Sequence, residues 1–329
     1  MVDEHEVLSH ARACFGSRCE LESLERFVGG VRKQTFYVQL GRPSIRCLFI
    51  VWRSDASYFV EREVAGFERS QSDAVAPHAF RRHTEYLTEL GLNVARILHF
   101  GQLESGHHFA FVERIDGPDY GTFRAVATPA DREVVLESLA GQVRQLHAVE
   151  RAYPGGVLDD RADVRASPLD ESFDVALVEL RAAAETEPWV AEHHDRILRA
   201  LGELRAAVRP RETFNLLHGE LDPSHILVRS EDHVVYLVDI EGIGFGDLES
   251  EHAFLIWRFS EEDYRRLARD DLDQGRLAYY KLRMHVSLIY AGSRLLMREH
   301  PAKELAHQIL SRNLTELQMV LELDTETPS

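Results

Sequence analysis

The chain has 329 residues, 44% of them hydrophobic and 28% charged, with a formal net charge of −17. That composition is globular, at a length where two lobes are expected rather than one core. The acidic excess argues against a nucleic-acid binder, which needs Lys and Arg to displace phosphate counterions, and favours cationic ligands.

The opening Met1-Val2-Asp3-Glu4-His5-Glu6 lacks the basic-then-apolar order of a signal peptide. No apolar run approaches the roughly 18 residues of a membrane helix, so a cytoplasmic protein with no membrane partner is expected. Cys14, Cys19 and Cys47 fit a reducing compartment better than a disulfide framework. Val28-Gly29-Gly30-Val31 sets a glycine pair between apolar stretches. Phe36–Leu40 and Ile45–Trp52 then read as strands of a hairpin around the turn Gly41-Arg42-Pro43-Ser44. Ala79–Leu90 has helical periodicity, with Gly91 placed to end it. Val94–Phe100 and Phe109–Val112 read as further strands.

Beyond this point the pattern turns helical. Thr128-Pro129-Ala130-Asp131 has the form of a helix start, and Val135, Leu136, Leu139, Val143 and Leu146 recur on one face. Phe173–Glu185, Trp189–Val208 and much of Glu261–Leu323 also read as helix. His107-His108 and His193-His194 are neighbours whose side chains diverge on any regular element, which disfavours a metal pair.

The segment from Leu216 to Asp247 carries the most chemistry. His218-Gly219-Glu220-Leu221-Asp222-Pro223-Ser224-His225 is followed by Ile226-Leu227-Val228, a polar turn, Val234–Val238, and then Asp239-Ile240-Glu241. A short hairpin thus has His225 at its entrance and Asp239 at its exit, where both can converge on one ion, and the preceding loop can bring Glu220 alongside.

This wording resembles the catalytic segment of the aminoglycoside phosphotransferase family, relatives of the protein kinases. The family pattern is H-G-D-x-x-x-x-N, a hairpin, then I-D-W or a variant. His218-Gly219, the step from Glu220 to His225 and Val238-Asp239-Ile240 correspond to it. The resemblance implies that Glu220 orients the acceptor hydroxyl and takes its proton, with His218 in the same catalytic loop. It makes His225 and Asp239 ligands of Mg²⁺, with Glu241 a further candidate. Two positions depart from the pattern: the family's Asp is Glu220 and its Asn is His225. Histidine is a poor ligand for Mg²⁺, so His225 contacting a phosphate oxygen or orienting Glu220 is an alternative. Asp222 is an alternative base, and a catalytically silent nucleotide-binding protein is an alternative for the whole chain.

Weaker likeness covers the rest. Gly29 and Gly30 resemble the nucleotide-covering turn. Arg53 stands nearest to the phosphate-binding cation of the third strand, with Glu63 or Glu85 as its acid partner and Val64–His78 as an insertion. Phe111–Gly117, with Glu113, resembles the hinge that meets the purine edge. His147 ends a helix of the L-x-x-L-H kind and reads as structural; Asp247 reads as loop-fixing. The expected fold is α+β and protein-kinase-like in two lobes: a nucleotide-covering sheet lobe over 1–113 and a larger helical catalytic and acceptor lobe over 114–329. Glu220 and Asp239 are expected to face one cleft. The implied cofactors are ATP or GTP with Mg²⁺. The acceptor is a small hydroxyl compound: a cationic antibiotic, which would make this a resistance enzyme, or a metabolic sugar, amino alcohol or homoserine.

Overall fold

The computed structural model describes residues 2–27, 33–52, 76–159, 167–297 and 303–323. Close contacts divide the chain into two compact units. The first comprises residues 1–61, 68–142 and 224–241. It opens with α1 (Glu4–Phe15), whose start is capped by the Asp3 side chain accepting from the His5 amide. Then come β1 (Glu20–Arg26), β2 (Lys33–Gly41), β3 (Ile45–Trp52), α2 (Ala76–Glu89), β4 (Ile97–Gln102) and β5 (His108–Glu113). The five strands form one antiparallel sheet in the order β1-β2-β3-β5-β4.

Alternation assigns the faces of β2. Phe36, Val38 and Leu40 are buried with Phe49, Val51 and the α1 residues Val7 and Ala11. Lys33, Thr35, Tyr37 and Gln39 belong to the other face. Cross-strand pairing sets Trp52 opposite Lys33, Ile50 opposite Thr35, Leu48 opposite Tyr37 and Arg46 opposite Gln39, so this second face of β3 is apolar from Leu48 to Trp52. α2 ends at the expected glycine: Gly91 has φ +79°, and the Leu92 amide reaches back to the Leu87 carbonyl. Strand pairing begins later than Val94, at Ile97, because Val94 instead makes an isolated parallel bridge with Leu237.

α3 (Tyr120–Val126) and α4 (Pro129–His147) follow. At the start of α4 the Thr128 hydroxyl accepts from the Asp131 amide at 3.2 Å and donates to the Asp131 carboxylate at 2.7 Å. The chain continues through β6 (Glu150–Arg151), β7 (Gly155–Gly156), α5 (Pro168–Ala184), α6 (Pro188–Ala207) and β8 (Phe214–Leu217). A 3-10 turn at Pro223–His225 leads into β9 (Ile226–Val228) and β10 (Val235–Leu237), and another at Ile240–Gly242 precedes β11 (Gly244–Gly246). Four helices end the described chain: α7 (Leu248–Arg258), α8 (Glu261–Leu267), α9 (Gln274–Met297) and α10 (Lys303–Leu323).

The β9–β10 hairpin belongs to the first unit, where the segment 116–118 is zipped onto it. Val228 N donates to Pro118 O and Ser230 N to Asp116 O, each at 2.9 Å. Gly117 is required by that approach, since a Cβ there would stand 1.8 Å from the Val228 carbonyl oxygen. In the second unit β6, β8, β11 and β7 form a small sheet. Its main core gathers apolar residues of α5, α6, α7, α9 and α10, among them Leu180, Ile197, Leu282, Ile289 and Leu317.

Candidate active site

The hairpin closes its two ends on each other: Val238 N donates to His225 O at 3.0 Å. His225 Nε2 lies 3.5 Å from Asp239 Oδ2, within ion-pair range but beyond a good hydrogen bond. Asp239 has φ +60°, a left-handed conformation that Asp tolerates better than most side chains. One residue on, the Ile240 carbonyl accepts from His83 Nδ1 of α2 at 2.9 Å, fixing the turn that presents Glu241.

One ammonium joins the two carboxylates. Lys33 Nζ, at the start of β2, donates to Asp239 Oδ1 at 2.8 Å and to Glu241 Oε1 at 2.6 Å. Burial works against the charge on Lys33, but Glu241 and Asp239 outweigh it and its pKa is raised. Burial raises the Glu241 pKa, and the nearby Asp239 charge adds to this against the pull of Lys33. Glu241 Oε2 is buried and accepts no hydrogen bond among the described residues.

These donors fit a hard divalent cation. Two carboxylates already converge on one positive charge, and one of their oxygens is an orphan. Among the described residues no three His, Cys, Asp or Glu side chains gather as a metal-binding cluster. A pair of carboxylates is the usual protein share of a Mg²⁺ site whose other ligands are phosphate oxygens and water.

The loop residues from His218 to Pro223 lie in the second unit. His218 is wholly buried, whereas Glu220 is exposed. Between them Gly219 has φ +86°, and a Cβ there would meet the Gly242 carbonyl oxygen at 2.7 Å. Its amide donates to Glu251 Oε2 of α7 at 2.7 Å, while His147 Nε2 donates to Glu251 Oε1, also at 2.7 Å. Burial pushes the Glu251 pKa upward, but the His147 hydrogen bond and charge, the His218 charge and the Gly219 amide outweigh it, and the net shift is downward. Asp222 Oδ2 lies 3.4 Å from Arg258 Nε. Asp247 is buried and accepts from Arg276 Nη1 at 2.8 Å and Tyr280 Oη at 2.7 Å.

At the end of β5, Glu113 donates its amide to Arg96 O at 2.8 Å, and its carboxylate takes Arg96 Nε at 2.9 Å. Glu113 to Asp116 and Arg229 to Glu231 line a cavity of about 520 Å³. Glu85 pairs with Arg81 at 3.4 Å on an exposed stretch of α2. Gly29, Gly30, Arg53 and Glu63 lie outside the described residues.

The structure thus brings Asp239 and Glu241 together, with His225 beside them. It adds two residues that sequence reading did not single out, Lys33 and His83, and ties Glu251 to Gly219 and His147. For Lys33 a signal was present, a lone lysine just after a glycine pair. For His83 there was none, since a polar residue on a helix ordinarily reads as exposed.

Sheet and hairpin have the layout of a kinase-like fold. Residues 23–285 match the model of the phosphotransferase enzyme family, APH, and the chain belongs to that family. A search of curated proteins found no match. Among solved structures, a thermostable mutant of aminoglycoside phosphotransferase APH(4)-Ia, in ternary complex with AMP-PNP and hygromycin B, is 14% identical with a TM-score of 0.66, over 98% of this chain and 100% of that one. The GDP and kanamycin complex of APH(2")-IIia is 16% identical with a TM-score of 0.57, over 97% and 98%. Plasmodium vivax ethanolamine kinase is 11% identical with a TM-score of 0.56, over 92% and 83%. At these identities the likeness shows the fold. Family and fold together support a nucleotide-using phosphotransferase for small molecules. Among the described residues no helix is long and apolar enough to cross a membrane.

Proposed function

We propose that this protein moves the γ-phosphate of ATP or GTP onto a hydroxyl of a small cationic molecule. The observation that carries the reading is the convergence of Asp239 and Glu241 on one positive charge, at 2.8 and 2.6 Å. When bound, Mg²⁺ neutralises charge on the transferring phosphate. Asp239 and Glu241 would hold it, and His225 would orient Asp239 or meet a phosphate oxygen. Glu220 accepts the proton of the acceptor hydroxyl. Its exposure suits that role better than the position of Asp222 beside Arg258. Buried His218 keeps the loop in place. Gly29, Gly30 and the hinge at Glu113 cover the nucleotide within an N-terminal lobe of residues 1–113, and residues 114–329 supply the acceptor side. Little covalent chemistry is asked of the protein, so positioning and charge supply most of the rate.

The net charge of −17 supports a cationic acceptor. The fold neighbours named for hygromycin B, kanamycin and ethanolamine share one chemistry, an amine beside a hydroxyl. An aminoglycoside-like antibiotic and a metabolic amino alcohol both satisfy it. Such a reaction draws on the nucleotide pool of the cytoplasm, the compartment that free cysteines fit.

The test is nucleotide consumption against a panel of amine-bearing and amine-free alcohols, with wild type and Glu220→Ala. Turnover with an amino alcohol, lowered about 10²- to 10⁴-fold in Glu220→Ala, is expected for loss of a general base. Nucleotide binding without turnover on any alcohol would favour the silent reading, to which the Glu220 and His225 departures point. No nucleotide binding at all would remove both.

A further inference from the structure

The third strand of a kinase-like sheet is where a phosphate-gripping cation is expected; along the described part of that strand the face shared with Lys33 carries one cation, Arg46, which stands at the far end opposite Gln39 and pairs with Asp116 at 2.7 Å. The strand's residues paired across from Lys33, Thr35 and Tyr37 are Trp52, Ile50 and Leu48. Ile50 and Trp52 are buried, and the Trp52 ring packs on Phe80 of α2 with centroids 5.3 Å apart. Apolar carbon fills the place. The neighbouring strand supplies the charge instead. Lys33 stands opposite Trp52, shares its face, and runs past Phe80, whose ring centroid lies 5.8 Å from Nζ.

Composition sharpens the point. The chain holds three lysines, Lys33, Lys281 and Lys303, against a combined Lys and Arg count of 38. Lys281 and Lys303 belong to the second unit, so Lys33 is the single lysine of the first. A compact ammonium on a flexible stem can exchange one set of oxygens for another, where a guanidinium prefers a fixed planar partner.

Resting on the functional reading above, we propose that Lys33, carried by β2, is the nucleotide-phosphate cation of this protein, in place of Arg53. The same ammonium is the internal counter-ion of Asp239 and Glu241. A divalent cation binding alone must compete with it for both carboxylates. A nucleotide arriving with its metal offers phosphate oxygens in exchange, so the ammonium turns from carboxylate to phosphate. Metal and nucleotide therefore bind with positive coupling, and metal alone binds weakly.

Two binding measurements on the full chain test this. The first is Mn²⁺ affinity of the protein without nucleotide, read from the free-ion spin-resonance signal. The second is affinity for a non-hydrolysable ATP analogue with Mg²⁺, by calorimetry. Lys33→Met and Lys33→Gln are compared with wild type and Arg53→Met; the glutamine variant keeps a hydrogen-bond donor should the methionine variant not fold. Both Lys33 variants should bind Mn²⁺ alone about tenfold or more tightly, and the nucleotide about tenfold or more weakly, the scale of one charge-assisted hydrogen bond. Arg53→Met should change neither. Unchanged Mn²⁺ affinity in the Lys33 variants, or nucleotide affinity that falls with Arg53→Met and survives loss of Lys33, overturns the assignment. If wild type binds no nucleotide, the phosphotransferase reading fails, while the Mn²⁺ comparison still reports whether Lys33 guards the carboxylates.

Discussion

Glu251 offers the sharpest test of how the loop at His218 and Gly219 is held. It is 2% exposed on α7, and each carboxylate oxygen serves a different buried donor: His147 Nε2 at the end of α4 and Gly219 N beside His218. Glu251→Ala removes both acceptors at once. A buried donor left without a partner costs about 1–3 kcal/mol, so two such donors make a loss of about 2–6 kcal/mol. His147 has little freedom to find another partner, because Asn215 Nδ2 already ties its backbone carbonyl at 2.8 Å. Glu251→Gln keeps an oxygen for the Gly219 amide, so it should lose less than half as much. Urea unfolding at neutral pH measures the difference, and turnover should fall with the alanine variant as the loop loosens. Acid adds a second reading. The Glu251 pKa lies below the ordinary carboxylate value, so its contribution is complete above that value and is lost as pH falls through the folded one. Wild type should therefore lose stability more steeply in acid than Glu251→Gln. An alanine variant within about 0.5 kcal/mol of wild type, the range of a surface change, would refute the account.

His252 is buried, and desolvation first, then the His147 charge, lowers its pKa from 6.5 to about 4. Between those values the unfolded chain binds a proton that the folded one refuses. Stability should thus fall by up to about 3 kcal/mol as pH drops through that window, and His252→Gln should flatten the slope in urea titrations at stepped pH. The Cys47 thiol is pushed up to about 12 by burial and by neighbouring Cys19, so iodoacetamide at neutral pH should label it only after denaturation, as mass spectrometry can show. Gly219→Ala combines a positive φ with a Cβ 2.7 Å from a backbone oxygen. It should cost about 1–2 kcal/mol from the left-handed backbone alone, more with the clash, and a thermal melt indistinguishable from wild type would contradict it.

Much of this fold is written in local pattern. The β2–β3 hairpin follows from β-branched and aromatic runs around a Gly-Arg-Pro-Ser turn, α2 from its terminal glycine, and α4 from the threonine cap. The β9–β10 hairpin follows from two apolar triplets across a polar turn. What escaped reading did so for physical reasons. α1 buries little beyond Val7 and Ala11, so its apolar stripe is thin. β1, Glu-Leu-Glu-Ser-Leu-Glu-Arg, is an edge strand whose acids mask its alternation and guard a free edge. α7 buries Glu249, Glu251 and His252, residues that composition assigns to the surface. The hairpin acids could be named from their order and spacing. Their shared partner could not, because Lys33 is brought to Asp239 across 206 positions of sequence by the packing of the first unit.

The backbone at Asp239, with φ at +60°, has a consequence beyond chemistry. Glycine would rest there at no steric cost, and every other residue is held at a disadvantage that the surrounding fold must absorb. The carboxylate that reaches Lys33 is thus mounted on one of the least comfortable turns in the chain. A library propagated for heat resistance alone, with no demand for turnover, should drift toward glycine at this position. It would trade away the very oxygen proposed to hold the metal.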